Sequence, residues 1–369
     1  MMDMLEINNR NLCKFCFTAR MPNQSVCPRC GGAAHVRTYH GTLANGAILA
    51  GKYLVGRVIG KGGFGVTYQC YNLQKNLVVA VKEYMPDTLA YRKNGSCKVL
   101  ANSINNEKCY REGAVKFLEE AKMVSRFNGN PNITKVYEFF YENNTSYYVM
   151  EFLDGTDLKG YIERKGGRIG EGAMIKVINS VSNALVDLHS VKVLHRDISP
   201  DNIFVCRNGD VKLIDFGAAR QLVSEASNSL SVILKPGFAP FEQYQKKGNQ
   251  GPWTDIYALG ATAYYAVTGR MIPDAMSRLE RNHIDMSGMS SSFAAVVSKM
   301  IAHDIKARYR NVAQLMKAVA PLMPANKVSS AEKQKSESDD SQQMPERVRE
   351  KITATNFCSM CGKPVPKGY

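Results

Sequence analysis

Gly60, Gly62 and Gly65 stand in the run Gly60-Lys61-Gly62-Gly63-Phe64-Gly65-Val66, between two strand-like stretches, Tyr53–Ile59 and Thr67–Tyr71. A backbone without Cβ can fold closely over phosphate groups and aim its N–H groups at them. A strand follows the glycines where a dinucleotide-binding turn would open a helix, which argues against a pyrophosphate held on a helix N-terminus. Taken alone, the run fits a ligand-free glycine-rich hairpin equally well. Lys82 closes the apolar run Val78-Val79-Ala80-Val81. A lone cation at the rim of a buried strand calls for an anionic partner, although by itself it also fits an edge lysine. Glu120 shares a helical face with Phe117 and Val124 through i+3 and i+4 spacing and is the carboxylate expected to pair with Lys82.

A second chemistry is written in cysteines. Cys13, Cys16, Cys27 and Cys30 form two Cys-x-x-Cys pairs ten residues apart, in a segment too small to fold alone. Zinc suits such a set, being tetrahedral, thiolate-binding and redox-inert, and Gly31-Gly32 permits the turn that points backbone N–H groups at sulfur. A pair of reactive redox dithiols is the competing reading. Cys358 and Cys361 are half of another site. They fit a zinc centre shared with a second chain, a site completed by His35 or His40, or the start of an unfinished ribbon. The other four of the ten cysteines, Cys70, Cys97, Cys109 and Cys206, are scattered and read as structural thiols.

Composition bounds the setting. A chain of 369 residues with 44% hydrophobic content can bury a sizeable core. No apolar stretch is long enough to cross a membrane, and the N-terminus carries acidic residues and cysteines where a signal peptide needs an apolar core. The cytosol and no membrane partner are therefore expected, and unpaired thiols suit that compartment. The net charge of +15 lies mostly in the middle of the chain and fits a solvated basic surface, with a nucleic-acid face as the competing reading. The aromatic interleaving of the cysteine segment, Phe15, Phe17 and Tyr39, is modest and makes nucleic acid an unlikely partner.

The elements that must position these groups change character along the chain. Leu77–Lys82 and Tyr147–Phe152 read as strands, with a helical stripe over Ala114–Phe127 between them. Beyond residue 155 helices dominate, as at Met174–His189 and Asp255–Thr268. Strands first and helices later signal an α+β domain in two lobes. The expected organisation is a zinc ribbon over 1–40, a Gly/Ala-rich linker over 41–52, one large domain over 53–322, a flexible linker over 323–351 rich in Ser, Gln and mixed charge, and a cysteine knuckle over 352–369.

The segment Leu194-His195-Arg196-Asp197-Ile198-Ser199-Pro200-Asp201-Asn202-Ile203-Phe204-Val205, followed by Val211-Lys212-Leu213-Ile214-Asp215-Phe216-Gly217, resembles the catalytic loop and metal-binding Asp-Phe-Gly of eukaryotic-like Ser/Thr protein kinases, the bacterial ones most closely. The resemblance implies the bilobal kinase fold: an antiparallel sheet with one helix, then a helical lobe. It implies ATP and magnesium as cofactors and protein hydroxyls as substrates. Asp197 would accept or orient the substrate hydroxyl proton, Asn202 and Asp215 would hold magnesium, and Lys82, held by Glu120, would face the α/β-phosphates. Adenine would lie against the hinge Glu151-Phe152-Leu153 with Met150 as gatekeeper, under an apolar lid of Ile59, Val66 and Ala80. Pro240-Phe241-Glu242 stands where such kinases end the activation loop, with Glu242 expected on Arg308, and Asp255 is expected to brace the catalytic loop.

The chain departs from that pattern twice. Ser199 occupies the place of the usual lysine two residues after the catalytic aspartate, and Lys235 that of the usual threonine before Pro236-Gly237. The two departures compensate if Lys235 reaches back beside Asp197; otherwise Ser199 marks a weakened enzyme or a pseudokinase scaffold. Ser224, Ser227, Ser229 and Ser231 make the activation segment a candidate for autophosphorylation, with Arg196 as partner of the phosphate. A nucleic-acid-associated regulator built on the ribbon is the third functional class, and self-association through the cysteine knuckles is a possible further partnership.

Overall fold

The computed structural model describes residues 12–18, 24–32, 39–215, 234–245 and 247–323. Phe216, Gly217, the four activation-segment serines, His35, the segment read as a linker beyond Met323, and Cys358 and Cys361 lie outside the described residues.

The N-terminal lobe is a curled antiparallel sheet backed by one long helix. Its strands are β1 (Ile48–Leu49), β2 (Tyr53–Gly62), β3 (Gly65–Asn72) and β4 (Leu77–Tyr84), followed by a small hairpin of β5 (Ala90–Arg92) and β6 (Val99–Ala101). Helix α1 (Ile104–Val124) comes next, then β7 (Val136–Glu142) and β8 (Thr145–Glu151). Sheet order is β1-β2-β3-β4-β8-β7, with the β5–β6 hairpin apart. Helix α1 starts ten residues before the apolar stripe because Ser103 caps it, its hydroxyl accepting from Asn106 N at 3.3 Å, and because its first turns are polar and face water. Tyr110, Ala114, Phe117, Ala121 and Val124 form its buried face at i+3 and i+4 intervals. That face meets the sheet through aromatic rings: Phe117 lies 4.9 Å from Tyr148 and 5.5 Å from Tyr84. Gly113 makes room for Tyr84, whose hydroxyl occupies the space a Cβ would need.

The stretch read as a linker, 41–52, belongs to this lobe. Leu43 and Leu49 are buried, and Ile48 and Leu49 pair with Leu54 and Tyr53. A buried charge cluster fastens it. Glu83 is paired with Arg92 and accepts from the hydroxyls of Tyr68 at 2.8 Å and Tyr147 at 2.5 Å. Tyr68 in turn accepts from Leu43 N at 3.0 Å, and Arg92 donates to the Gly41 carbonyl at 2.9 Å. Glycine and alanine content hid the two leucines that anchor the stretch.

The second lobe opens with β9 (Gly155–Asp157), α2 (Leu158–Arg164) and α3 (Glu171–Ser190). It continues through β10 (Ile203–Cys206), β11 (Val211–Leu213), α4 (Phe241–Tyr244), α5 (Pro252–Thr268), α6 (Ser291–Met300) and α7 (Val312–Val319). Strand β10 lies between β11 and β9. Helix α5 is buried along nearly its whole length, entered through Pro252 and closed by Gly269 in left-handed backbone (φ 71°). Among the described residues no helix is long and apolar enough to cross a membrane.

Candidate active site

A cleft of about 320 Å³ is lined by both lobes, with the glycine run as its roof. Strands β2 and β3 pair through Gly60↔Thr67 and Gly62↔Gly65, so the glycines form the tip of a hairpin. The chain leaving β4 pins that tip: Met85 N and Asp87 N donate to the carbonyls of Phe64 and Gly63, each at 3.1 Å. Gly65 is needed because a Cβ there would run into the Glu83 carbonyl of β4.

Ile59, Gly60, Gly62, Gly65, Ala80, Met150, Glu151 and Leu153 all line the cleft, as expected. Val66 does not. It is 1% exposed and belongs to the lobe's core, and Thr67 faces the cleft instead. Strand alternation is the reason, since Gly65 and Thr67 point to one side of β3 and Val66 to the other. Thr67 was legible from that alternation. Asp157 at the rim and Phe204 and Ile214 on the floor carried no comparable signal.

The ionic groups converge at the inner end. Lys82 forms an ion pair with Asp215, and Glu120 lines the same cleft. Burial works against the Lys82 ammonium, but Asp215, with smaller contributions from Tyr148 and Glu120, raises its pKa above the usual lysine value. Lys82 thus has anionic neighbours in both Asp215 and Glu120. Asn202 donates its side-chain N–H groups to the Asp197 backbone carbonyl at 2.6 Å and to the Asp197 carboxylate. Lys235 donates to Ser199 Oγ at 2.7 Å, stands 3.2 Å from Asp201 and lies 3.9 Å from Asp197.

The backbone beneath these groups is held in unusual conformations. Arg196 (φ 63°) and Asp215 (φ 53°) both occupy the left-handed region, which L side chains enter only where the surroundings fix them. At Arg196, Asp255 supplies that fixing from α5. Its carboxylate accepts from His195 N at 3.0 Å and Arg196 N at 2.8 Å, and meets His189 Nε2 at 2.8 Å. Burial would raise the Asp255 pKa, but His189, His195 and the Arg196 N–H together hold it below its usual value. Gln243 of α4 donates to the Arg196 carbonyl at 2.9 Å. Glu242 beside it is buried against Arg308, with Nη1 at 2.7 Å, and also accepts from the Thr254 hydroxyl at 3.0 Å.

The four N-terminal cysteines come together as well. All their sulfurs lie within 4.8 Å of one another, with Cys13–Cys30 at 3.6 Å and Cys16–Cys27 at 3.7 Å. A tetrahedron with metal–sulfur bonds of about 2.3 Å has edges of about 3.8 Å. These separations fit that figure and far exceed a disulfide bond. The backbone N–H of Cys30 holds the Cys27 thiol down at about 6.

The fold and cleft have counterparts among known proteins. The protein kinase domain family matches residues 53–338, and the chain belongs to that family. It is 28% identical over 327 residues to serine/threonine-protein kinase B of Synechocystis sp., covering 83% of this chain and 51% of that protein. Against serine/threonine-protein kinase PknA of Nostoc sp. the figures are 29% over 286 residues, 74% and 47%. The chain thus spans about half the length of the curated relatives it matches. Among solved structures, the apo form of PpkA-294 superposes with a TM-score of 0.71 at 31% identity, covering 76% of this chain and 99% of that one.

Proposed function

We propose that the chain is an active Ser/Thr protein kinase that transfers the γ-phosphate of ATP to protein hydroxyls, its own activation segment among them. The convergence of Lys82, Asp215, Asn202 and Asp197 beneath the glycine-rich roof carries this reading. Magnesium fits the donor set, because Asp215 and Asn202, which carry hard carboxylate and amide oxygens, line one cleft. When bound, the ion would neutralise charge on the transferred phosphate. Lys82 faces the α/β-phosphates and is itself kept charged by Asp215 and Glu120. Asp197 receives the hydroxyl proton of the substrate and is aimed by the Asn202 amide. Ile59, Ala80, Met150 and Leu153 clasp the adenine, the backbone of Glu151 and Leu153 meets its edge, and Asp157 is placed to accept from ribose hydroxyls.

Lys235 takes the part of the cation missing at Ser199. Its ammonium reaches Ser199 and lies within Coulombic range of Asp197, where an incoming phosphoryl group needs positive charge. That supply of charge favours an enzyme over a scaffold that binds nucleotide without transfer. The four-cysteine cluster is read as a zinc ribbon over 1–40, supported by its sulfur spacing. Phe15 and Phe17 pack toward the kinase lobe, Phe15 against Arg57 and Phe17 against Tyr71, which leaves little aromatic surface there for a nucleic-acid strand. The decisive experiment incubates the full chain with labelled ATP and magnesium. Label should enter the chain and a protein substrate, be abolished by Asp197→Ala, and map by mass spectrometry to Ser224, Ser227, Ser229 or Ser231. No transfer above the Asp197→Ala background would refute the reading.

A further inference from the structure

The N-terminal four-cysteine cluster is seated on the strand that becomes the glycine-rich loop. Phe17, 6% exposed and in left-handed backbone (φ 56°), stacks on Tyr71 of β3 at 5.5 Å. Its ring covers Gly56 of β2 so closely that a Cβ there would stand 2.5 Å from Phe17 Cζ and 3.2 Å from the Lys14 carbonyl. Arg57 lies 5.4 Å from the Phe15 ring and donates through Nε to Gln69 at 2.7 Å. From the lobe's own N-terminal stretch, Asn45 donates to the Gly56 carbonyl at 2.7 Å.

The pairing of β2 with β3 is interrupted at the same place. Register shifts fall between Val55 and Val58 and again between Val58 and Gly60. A bulge is a locally unpaired stretch whose bend sets the direction of the strand beyond it. Here the strand beyond it is the roof of the cleft, which begins at Gly60, four residues after Gly56. The cysteines in turn fix the piece that presses on the bulge: Phe17 follows Cys16 directly and donates its N–H to the Cys13 carbonyl at 2.8 Å.

We infer that the N-terminal four-cysteine cluster controls the nucleotide cleft through Phe17. With zinc drawing the four sulfurs together, Phe17 is held on Gly56, the bulge is fixed and the glycine-rich loop is supported over the cleft. When the sulfurs are released, the roof loses that support and nucleotide binds more weakly. The inference rests on the reading of the four cysteines as a zinc site. Linkage makes the effect reciprocal, so bound nucleotide tightens zinc retention by the same factor.

The test uses the full chain loaded with zinc and a non-hydrolysable ATP analogue with magnesium, read by calorimetry, metal analysis and amide hydrogen exchange across residues 58–66. Phe17→Ala should keep its zinc, raise the Kd for the analogue about fivefold or more and speed exchange in that segment. Phe17→Leu, which keeps an apolar contact and is the milder change for folding, should shift both readouts in the same direction by less. Stripping zinc with a chelator should weaken the analogue in the parent chain and add nothing in Phe17→Ala. A zinc-loaded Phe17→Ala chain with unchanged Kd and exchange overturns the inference alone. A chain that takes up no zinc overturns the metal reading and the inference with it.

Discussion

Lys235 donates to the Ser199 hydroxyl at 2.7 Å, so an ammonium group from the loop after the activation segment stands on the catalytic loop two residues beyond Asp197. The same ammonium lies 3.2 Å from Asp201 and 3.9 Å from Asp197. A lysine fixed within the catalytic loop would be present whatever the neighbouring loop did. Here the charge arrives with residues 234–240, so order in that loop and charge beside Asp197 are coupled.

Lys235→Ala should therefore lower kcat by about a hundred- to a thousandfold, the scale of losing one electrostatic contact in a preorganised site, with a smaller effect on the KM for ATP. The double variant Lys235→Ala/Ser199→Lys should recover much of the loss, because it returns the cation by the other route. Steady-state kinetics on the two variants check this. Unchanged kcat in Lys235→Ala would leave the lysine a bystander.

The inner end of the cleft was legible in sequence because its chemistry is local. Gly60, Gly62, Gly65, Asn202 and Asp215 sit in short runs whose residue types allow few alternatives. What escaped depended on which side of a strand a residue faces, or on distant partners. Val66 and Thr67 differ only by strand alternation, and one position of error moved a core valine into the cleft. The ion pair of Lys82 with Asp215 joins residues far apart in sequence, so no local spacing announces it. The anchoring of 41–52 needed Arg92, whose hairpin carries no strong pattern of its own.

Lys82→Met should test that ion pair. It leaves the Asp215 carboxylate without its ammonium partner and removes the cation facing the α/β-phosphates, so phosphate transfer should fall about a hundredfold or more. Stabilisation of the fold by ATP and magnesium should shrink with it, since that effect scales with nucleotide affinity. Thermal melting with and without nucleotide, alongside transfer rates, separates the two effects. A variant that is stabilised by nucleotide as strongly as the parent would remove Lys82 from phosphate binding.

The Glu242–Arg308 pair is a structural counterpart, with both side chains almost fully buried. Arg308→Ala strands a buried carboxylate with the Thr254 hydroxyl as its remaining donor among the contacts described, and should cost about 3–5 kcal/mol of stability. Replacing both partners with apolar side chains, Glu242→Leu/Arg308→Met, should cost much less, because no charge is left unpaired. Chemical denaturation of the three proteins at one pH decides. Equal losses in the single and double variants would show that packing, not charge, is what Arg308 supplies.

Acid should weaken the catalytic lobe through His195. The ring is buried, its Nε2 lies 3.3 Å from the Ile214 carbonyl and its Nδ1 accepts from Asp197 N at 3.3 Å, a pattern that fits a neutral imidazole protonated on Nε2. Burial lowers its pKa below the usual value of 6.5, against the opposing pull of Asp255 and Asp197. With the folded pKa depressed, both states are neutral above pH 6.5, and below it the unfolded chain takes up a proton that the folded chain refuses. Stability should therefore fall as pH drops from 6.5 toward the folded pKa, by up to about 1.4 kcal/mol per pH unit for this one group. Half-buried His303, also lowered by desolvation, adds to the same slope. His195→Gln should flatten the dependence between pH 6.5 and 5.5 while lowering stability at pH 7.5, because the amide can keep a hydrogen bond such as that to the Ile214 carbonyl but not the ring's packing. Denaturation curves across that range measure the slope, and an undiminished pH dependence in His195→Gln would assign the acid sensitivity to other groups.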